Sequence, residues 1–112
     1  MKNLLSRAVK VALKKKDRRH HKIGAVGVRA DGAIVTASNG PVRDGKFPPA
    51  HAEARLCRKL DRGAVVFIAR ANSRGAWRIA KPCTDCMRTM KRSGVKTVVF
   101  TISSGAYAVF HL

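Results

Sequence analysis

Two short motifs place metal-binding side chains about thirty residues apart in the sequence. The first is His51-Ala52-Glu53, and the second is Pro82-Cys83-Thr84-Asp85-Cys86. Two thiolates and one imidazole are donors that zinc prefers. Three protein ligands leave a fourth tetrahedral position open for water, which distinguishes a catalytic zinc site from a closed structural one. The spacing therefore predicts a catalytic zinc held by His51, Cys83 and Cys86.

A carboxylate follows the imidazole at a spacing that suits proton transfer. Glu53 lies two residues after His51, where it cannot easily bind the same metal but can reach a water beside it. Such a carboxylate can take a proton from the water and return it later in the reaction. A structural zinc is the alternative, since C-x-x-C is often half of a zinc finger, but the sequence has no second C-x-x-C or H-x-x-x-H to close the site. We therefore expect an enzyme with Glu53 as its proton shuttle.

The apolar pattern predicts one α/β domain over residues 1–112, in which both motifs begin helices. The apolar run at 64–69 suits a central strand buried on both faces, and Asp31-Gly32 predicts a hairpin turn. Two strand–helix–strand units in succession imply a mixed sheet covered by helices. The predicted elements are helices at 1–16, 50–60 and 83–93, strands at 23–30, 33–37, 64–69, 96–102 and 107–111, and loops at 38–49 and 72–81.

The last two predicted strands are too close in sequence to run parallel. Residues 103–106 between them suffice for a hairpin, whereas a parallel pair needs a crossover of about a dozen residues. We therefore expect an antiparallel pair. Because the short final strand leaves a sheet edge incompletely covered, we also expect a homo-oligomer.

The chain is strongly basic, with 24 Lys and Arg against six Asp and Glu and a formal net charge of +18. Self-repulsion opposes compactness, so this excess indicates a polyanionic partner such as nucleic acid or nucleotide phosphates. No segment approaches the roughly 18 apolar residues of a membrane span, so we expect no membrane partner. Three cysteines without a secretory signal favour reduced thiols and a cytoplasmic protein.

An aromatic residue lies among arginines just before the second motif. Trp77 stands between Arg74 and Arg78, and an aromatic ring in such a setting suits stacking on a nucleobase. A tryptophan that anchors its loop to the core is an equally good interpretation. These three residues are therefore candidate substrate contacts.

The combination of H-x-E and P-C-x-x-C resembles the signature of the zinc-dependent nucleobase deaminases. The chain is similar to the cytidine and deoxycytidylate deaminase superfamily over roughly residues 20–110, including Gly-Ala-Val at 24–26 and Ser-Asn-Gly at 38–40. The resemblance implies a three-layer cytidine-deaminase-like fold, with a mixed five-stranded sheet and helices on both faces.

The same resemblance assigns roles within the site. It implies Zn2+ as the cofactor, His51, Cys83 and Cys86 as its ligands, and Glu53 as the proton shuttle. It also implies that Asn39 contacts the nucleoside and that the backbone N–H of Ala52 meets the base carbonyl.

The implied reaction is the hydrolytic deamination of cytosine to uracil. The net charge favours single-stranded DNA or RNA as substrate, because phosphate contacts accumulate along a strand. Free cytidine or deoxycytidine nucleotides are the first alternative. The expected antiparallel final pair favours a free substrate, because relatives that act on polynucleotides typically have a parallel pair, whereas free-nucleoside relatives have an antiparallel one. A basic nucleic-acid-binding protein with a structural zinc is the second alternative, and adenine is a further candidate base in nucleic acid.

Overall fold

The computed structural model shows a β-sheet with helices packed on both faces. It describes residues 2–13, 22–38, 56, 59–72, 74, 76–82, 84–103 and 105–112. No helix within these residues is long and apolar enough to cross a membrane. The elements, in chain order, are α1 (Lys2–Leu13), β1 (Lys22–Val28), β2 (Ile34–Ser38), β3 (Val65–Ala71), β4 (Trp77–Arg78), α2 (Thr84–Arg92), β5 (Thr97–Ser103) and β6 (Ala106–His111).

The strands form one open, mixed sheet with the order β2-β1-β3-β5-β6. β1 pairs antiparallel with β2 and β3, whereas β3 and β5 run parallel. The final pair, β5 and β6, is antiparallel, with Thr97 opposite His111 and Thr101 opposite Tyr107. This confirms the expectation drawn from the short connection. Gly105 in that connection has a φ of 77°, which glycine adopts without the steric cost that other residues meet.

The sheet has six strands where the sequence predicted five. The additional strand is β4, which falls inside the stretch 72–81 predicted as a loop. β3 pairs with β5 only as far as Ile68 opposite Phe100. Beyond that point β4 is its neighbour, with Arg70 opposite Arg78 and Ala71 opposite Trp77. A strand of two residues has no recognisable period of its own, so its pairing could not be predicted from the local pattern.

Alternate side chains of the central strands divide the core into two clusters. In β3, Val66 and Ile68 join one cluster and Phe67 and Ala69 the other, as expected for a strand buried on both faces. Helices on both faces of the sheet are thereby confirmed. The α2 face carries the buried cluster of Ala25, Ala37, Leu56, Val66, Ile68, Ala80, Met90, Val95, Val98 and Phe100. The α1 face carries Leu5, Ala8, Val9, Val26, Phe67, Ala69, Ala71 and Val99.

Helix α1 packs directly against the backbone of β1. A Cβ atom at Gly24 would overlap the carbonyl oxygen of Ala8, so only glycine permits this approach. Leu5 and Ala8 are completely buried there. The amphipathic pattern predicted at 1–16 therefore corresponds to a helix that covers the α1 face.

The predicted helix at 50–60 falls largely outside the described residues. Leu56 is helical and completely buried on the α2 face, and Leu60 packs against the same cluster. Apart from Ser38, the predicted loop at 38–49 lies outside the described residues.

The edge strand β6 is only partly covered. Val109 and Phe110 are 39% and 42% exposed, and Ile102 on the neighbouring strand is 42% exposed. Exposed apolar side chains at a sheet edge favour association, and self-association of this chain stays a prediction.

Candidate functional site

The strand ends define the edge of the sheet at which the second sequence motif leads into a helix. β3 ends at Ala71, opposite the first residue of β1, Lys22. β2 ends at Ser38, opposite Gly24 near that same start of β1. β5 runs parallel to β3 and therefore ends on the same side. We call this side the carboxyl edge, and the opposite side, which holds the β1–β2 turn at 29–33, the turn edge. In open α/β sheets, ligands bind beyond the carboxyl ends of the strands.

Helix α2 begins at the carboxyl edge, because it follows β4 there and leads back to the start of β5. Cys86, in its first turn, is 5% exposed. It lies one turn before Met90, which is buried in the α2-face cluster, so the thiol is on the buried side of the helix. A helix start favours the thiolate form of a cysteine. A buried, soft donor at this position fits a zinc ligand.

The segment that leads into α2 is attached to β5 through one threonine. Thr101 is completely buried, and its hydroxyl donates to the carbonyl of Arg78 at 2.7 Å. The same oxygen accepts the backbone N–H of Arg70 at 3.2 Å. The Thr101 carbonyl accepts the N–H of Ala80 at 2.9 Å. Through these bonds, β5 holds β4 and the residues before Pro82, which is itself buried.

Two arginines face the α2 side at the carboxyl edge. Arg70 follows Ile68 by two residues in β3 and so lies on the same face. Arg78 is directly opposite Arg70 in the antiparallel pair and shares that face. Like charges directly opposite one another on paired strands are destabilising. The pair therefore suits an anion that both guanidinium groups can contact.

Neither arginine is neutralised within the described part of the chain. The Nε atom of Arg70 is buried and has no hydrogen-bond partner there. The ion pairs between described residues involve Arg29 and Arg88, and neither Arg70 nor Arg78. Guanidinium groups bind phosphate and carboxylate groups through paired hydrogen bonds. The site thus has the charge and the donors to bind an anionic part of a substrate.

Trp77 lies on the other side of the sheet. It is opposite Ala71 in the register and packs, half-buried, against the α1-face cluster. This position matches the interpretation that the tryptophan anchors its segment to the core. Its stacking on a nucleobase stays a prediction, and that prediction would place the base away from the α2 face.

Arg74 lies in the β3–β4 turn, which Asn72 stabilises. The Asn72 side-chain oxygen accepts the backbone N–H groups of Arg74 at 3.0 Å and Ala76 at 2.9 Å, a side-chain cap typical of tight turns. The side chain of Arg74 is exposed. Among the described residues, sequence reasoning missed Arg70, because the apolar run that signalled β3 ends just before it. A charged residue at the end of a central strand was the available signal.

Five predicted site residues lie outside the described residues: Asn39, His51, Ala52, Glu53 and Cys83. Cys86 is the predicted zinc ligand that the structure places. The neighbours of this group are described on both sides, at Ser38, Leu56, Pro82 and Thr84.

The sequence of residues 1–102 matches the family described as the cytidine and deoxycytidylate deaminase zinc-binding region. Among curated proteins, none matches the sequence.

Solved structures with a similar fold include a cytidine deaminase from Burkholderia pseudomallei, with a TM-score of 0.70, 22% identity, and coverage of 99% of this chain and 92% of that one. A dCMP deaminase from the cyanophage S-TIM5 gives a TM-score of 0.65 at 21% identity, covering 90% and 81%. A cytidine deaminase from Mycobacterium tuberculosis gives 0.61 at 20% identity, covering 89% and 82%. At these identities the likeness is one of fold, and it confirms the fold class.

Proposed function

This chain belongs to the cytidine and deoxycytidylate deaminase family, and from that membership we propose that it deaminates a free cytosine nucleotide, cytidylate or deoxycytidylate. Zinc-dependent deamination is the chemistry of the family. We infer the finer substrate class, a single nucleotide that carries a phosphate, from residues of this chain. The observation that carries it is the Arg70–Arg78 pair on the α2 face at the carboxyl edge, which no carboxylate of the described residues neutralises.

We propose His51, Cys83 and Cys86 as the zinc ligands. The buried position of Cys86 at the start of α2 supports this set. The path of the chain also supports it: the chain leaves β2 at the carboxyl edge and enters β3 from the turn edge, and Leu56, between these points, is buried on the α2 face. We therefore propose that the stretch of chain between β2 and Leu56 supplies His51 to the zinc.

In the proposed reaction, Glu53 moves the protons. Zinc, when bound, lowers the pKa of a coordinated water toward 7. Glu53 would take a proton from the attacking water and deliver it to N3 of cytosine while the water oxygen adds at C4. It would then take the remaining proton from the new C4 hydroxyl and deliver it to the amine as the C4–N bond breaks. One water is consumed, ammonia leaves, and uracil remains. Asn39 and the Ala52 N–H orient the nucleoside.

The phosphate of the substrate is assigned to Arg70 and Arg78. Both lie on the face and the edge where α2 begins, and a phosphate there would relieve the repulsion between them. A nucleoside without phosphate offers no such charge. The two guanidinium groups therefore favour a nucleotide over a nucleoside.

The direction of the final strand favours a free substrate over a polymer. β5 and β6 are antiparallel, the arrangement that resemblance to the superfamily associates with deaminases of free nucleosides. The net charge of +18 favours single-stranded nucleic acid as a second candidate, because a polymer gains phosphate contacts along its length.

A panel of cytosine compounds tests the substrate class, with ammonia release by purified, zinc-loaded protein as the readout. A charge-assisted hydrogen bond contributes about 1.5–3 kcal/mol, which corresponds to about 10- to 100-fold in kcat/KM. We expect cytidylate or deoxycytidylate to exceed the matching nucleoside by that factor, and to exceed an oligocytidine strand as well.

The panel separates the candidates. Equal kcat/KM values for nucleotide and nucleoside would contradict the phosphate contact. Preference for the strand, with an affinity that falls steeply with salt, would establish the second candidate instead. Stoichiometric zinc without ammonia release from any cytosine compound would exclude both.

A further inference from the structure

Thr101 is a fully buried polar side chain near the carboxyl end of β5. It is 0% exposed, and its neighbours in β5 are Phe100, which is 3% exposed, and Ile102. Burial of a hydroxyl is unfavourable unless it is hydrogen-bonded. Thr101 meets this requirement twice, since its hydroxyl accepts the Arg70 N–H and donates to the Arg78 carbonyl.

These bonds occur where the regular ladder between β3 and β5 stops. The parallel pairing ends at Ile68 opposite Phe100, one residue before Thr101. At this point the N–H of Arg70 is accepted by the Thr101 hydroxyl and not by the β5 backbone. The same hydroxyl donates to the carbonyl of Arg78 in β4. The Thr101 carbonyl then accepts the N–H of Ala80. One residue thus fixes the chain at 78 and at 80, immediately before Pro82 and the start of α2.

We propose that Thr101 is a positioning residue for the zinc site, and that it acts by fixing the segment that carries Cys83 and Cys86. This inference rests on the proposed ligand set. The first turn of α2, which contains Cys86, continues from the segment that Thr101 anchors, so movement of residues 78–82 would displace Cys86. Residues that orient metal ligands without binding the metal typically change metal affinity by about 10- to 100-fold when replaced.

The chain provides a matched control in Thr97. It lies on the same strand four residues earlier, on the same face, and is 5% exposed. Its hydroxyl also makes a side-chain hydrogen bond, 3.2 Å from Nδ1 of His111. This contact joins β5 to β6 at the turn edge, far along the strand from α2's first residue. Thr97→Val therefore removes a buried threonine hydroxyl without touching the anchored segment.

The test measures zinc affinity by competition with a chromophoric chelator in the full chain, for wild type, Thr101→Val, Thr101→Ser and Thr97→Val. Valine keeps the β-branched shape but removes the hydroxyl. We expect Thr101→Val to weaken zinc binding about tenfold, Thr101→Ser to restore it to near the wild-type value, and Thr97→Val to leave it unchanged. Thermal unfolding of the zinc-free proteins shows whether the two valine variants lose similar stability.

The outcomes separate this inference from the proposed function. Wild-type protein that binds no stoichiometric zinc would overturn the proposed ligand set. Normal zinc binding in wild type, with equal affinities in Thr101→Val and Thr97→Val, would overturn the positioning role alone. If Thr101→Val does not fold, Thr101→Ala replaces it with the same expected ranking. Failure of both to fold, while Thr97→Val folds, would make the hydroxyl a folding determinant and would also overturn the role.

Discussion

The two edges of the sheet differ in whether their arginines pair with carboxylates. At the turn edge, Nε of Arg29 is 3.7 Å from Oδ2 of Asp61 and 3.9 Å from Oδ1 of Asp31. The two carboxylates also accept backbone N–H groups of the turn, from Ala30 at 3.1 Å and Ala33 at 2.9 Å. At the carboxyl edge, Arg70 and Arg78 oppose each other with no carboxylate paired to them among the described residues.

We interpret the charge at the turn edge as structural and the charge at the carboxyl edge as ligand-binding. Positive charge at the turn edge is compensated by the protein's own carboxylates, which also order the turn. Positive charge at the carboxyl edge has no carboxylate partner among the described residues, and we propose that it binds the substrate phosphate. The net charge of +18 alone does not make this distinction, because it counts both edges together.

The largest expected effect concerns the chemistry at the carboxyl edge. Glu53→Gln removes the carboxylate that carries every proton in the proposed reaction. A positioned acid–base group contributes about 10²- to 10⁴-fold to rate, so we expect kcat to fall by at least that factor while zinc content stays at one per chain. Steady-state ammonia release and metal analysis on the same samples measure both. Near-normal kcat in a zinc-loaded variant would remove Glu53 from its proposed role.

The sequence predicted those features that depend on neighbouring residues. The apolar run at 64–69 predicted β3 because both of its faces are buried, and the four-residue connection predicted the antiparallel β5–β6 pair. Strand β4 was missed because its pairing depends on Thr101, which is 23 residues away from Arg78 in the sequence. The face occupied by Trp77 could not be predicted either, since a segment taken as a loop has no assigned register.

The role of Arg70 could not be predicted from the sequence either, because it depends on a residue of another strand. Its type and its position next to an apolar run were visible, but its face and its cross-strand neighbour follow only from the register with β4. The zinc motif was recognisable because its donors come in a fixed local spacing. The arginine pair that we propose as an anion site was not recognisable, because its two members belong to different strands.

The second prediction tests whether the arginine pair at the carboxyl edge contacts the substrate phosphate. Arg78→Gln removes one guanidinium from the pair, and its side chain is exposed, so the fold should tolerate the change. Loss of a charge-assisted contact to phosphate of about 1.5 kcal/mol predicts roughly a tenfold fall in kcat/KM for the nucleotide. The preference for nucleotide over nucleoside should shrink by the same factor. An unchanged preference would show that the phosphate binds elsewhere.

The smallest expected effect comes from the corresponding change at the turn edge. Arg29→Gln lowers the formal net charge of +18 by one, as Arg78→Gln does, but it removes a partly exposed ion pair. Such pairs contribute about 0–1 kcal/mol, and 1 kcal/mol shifts Tm by about 4–8 °C in a domain of roughly this size. We therefore expect a decrease in Tm of no more than about 8 °C and an unchanged kcat/KM for the nucleotide, measured by thermal unfolding and steady-state kinetics. Since the two variants carry the same net charge, a loss of nucleotide kcat/KM in Arg29→Gln equal to that in Arg78→Gln would mean that total charge attracts the substrate. A loss confined to Arg78→Gln would mean that the substrate recognises the local arrangement of arginines at the carboxyl edge.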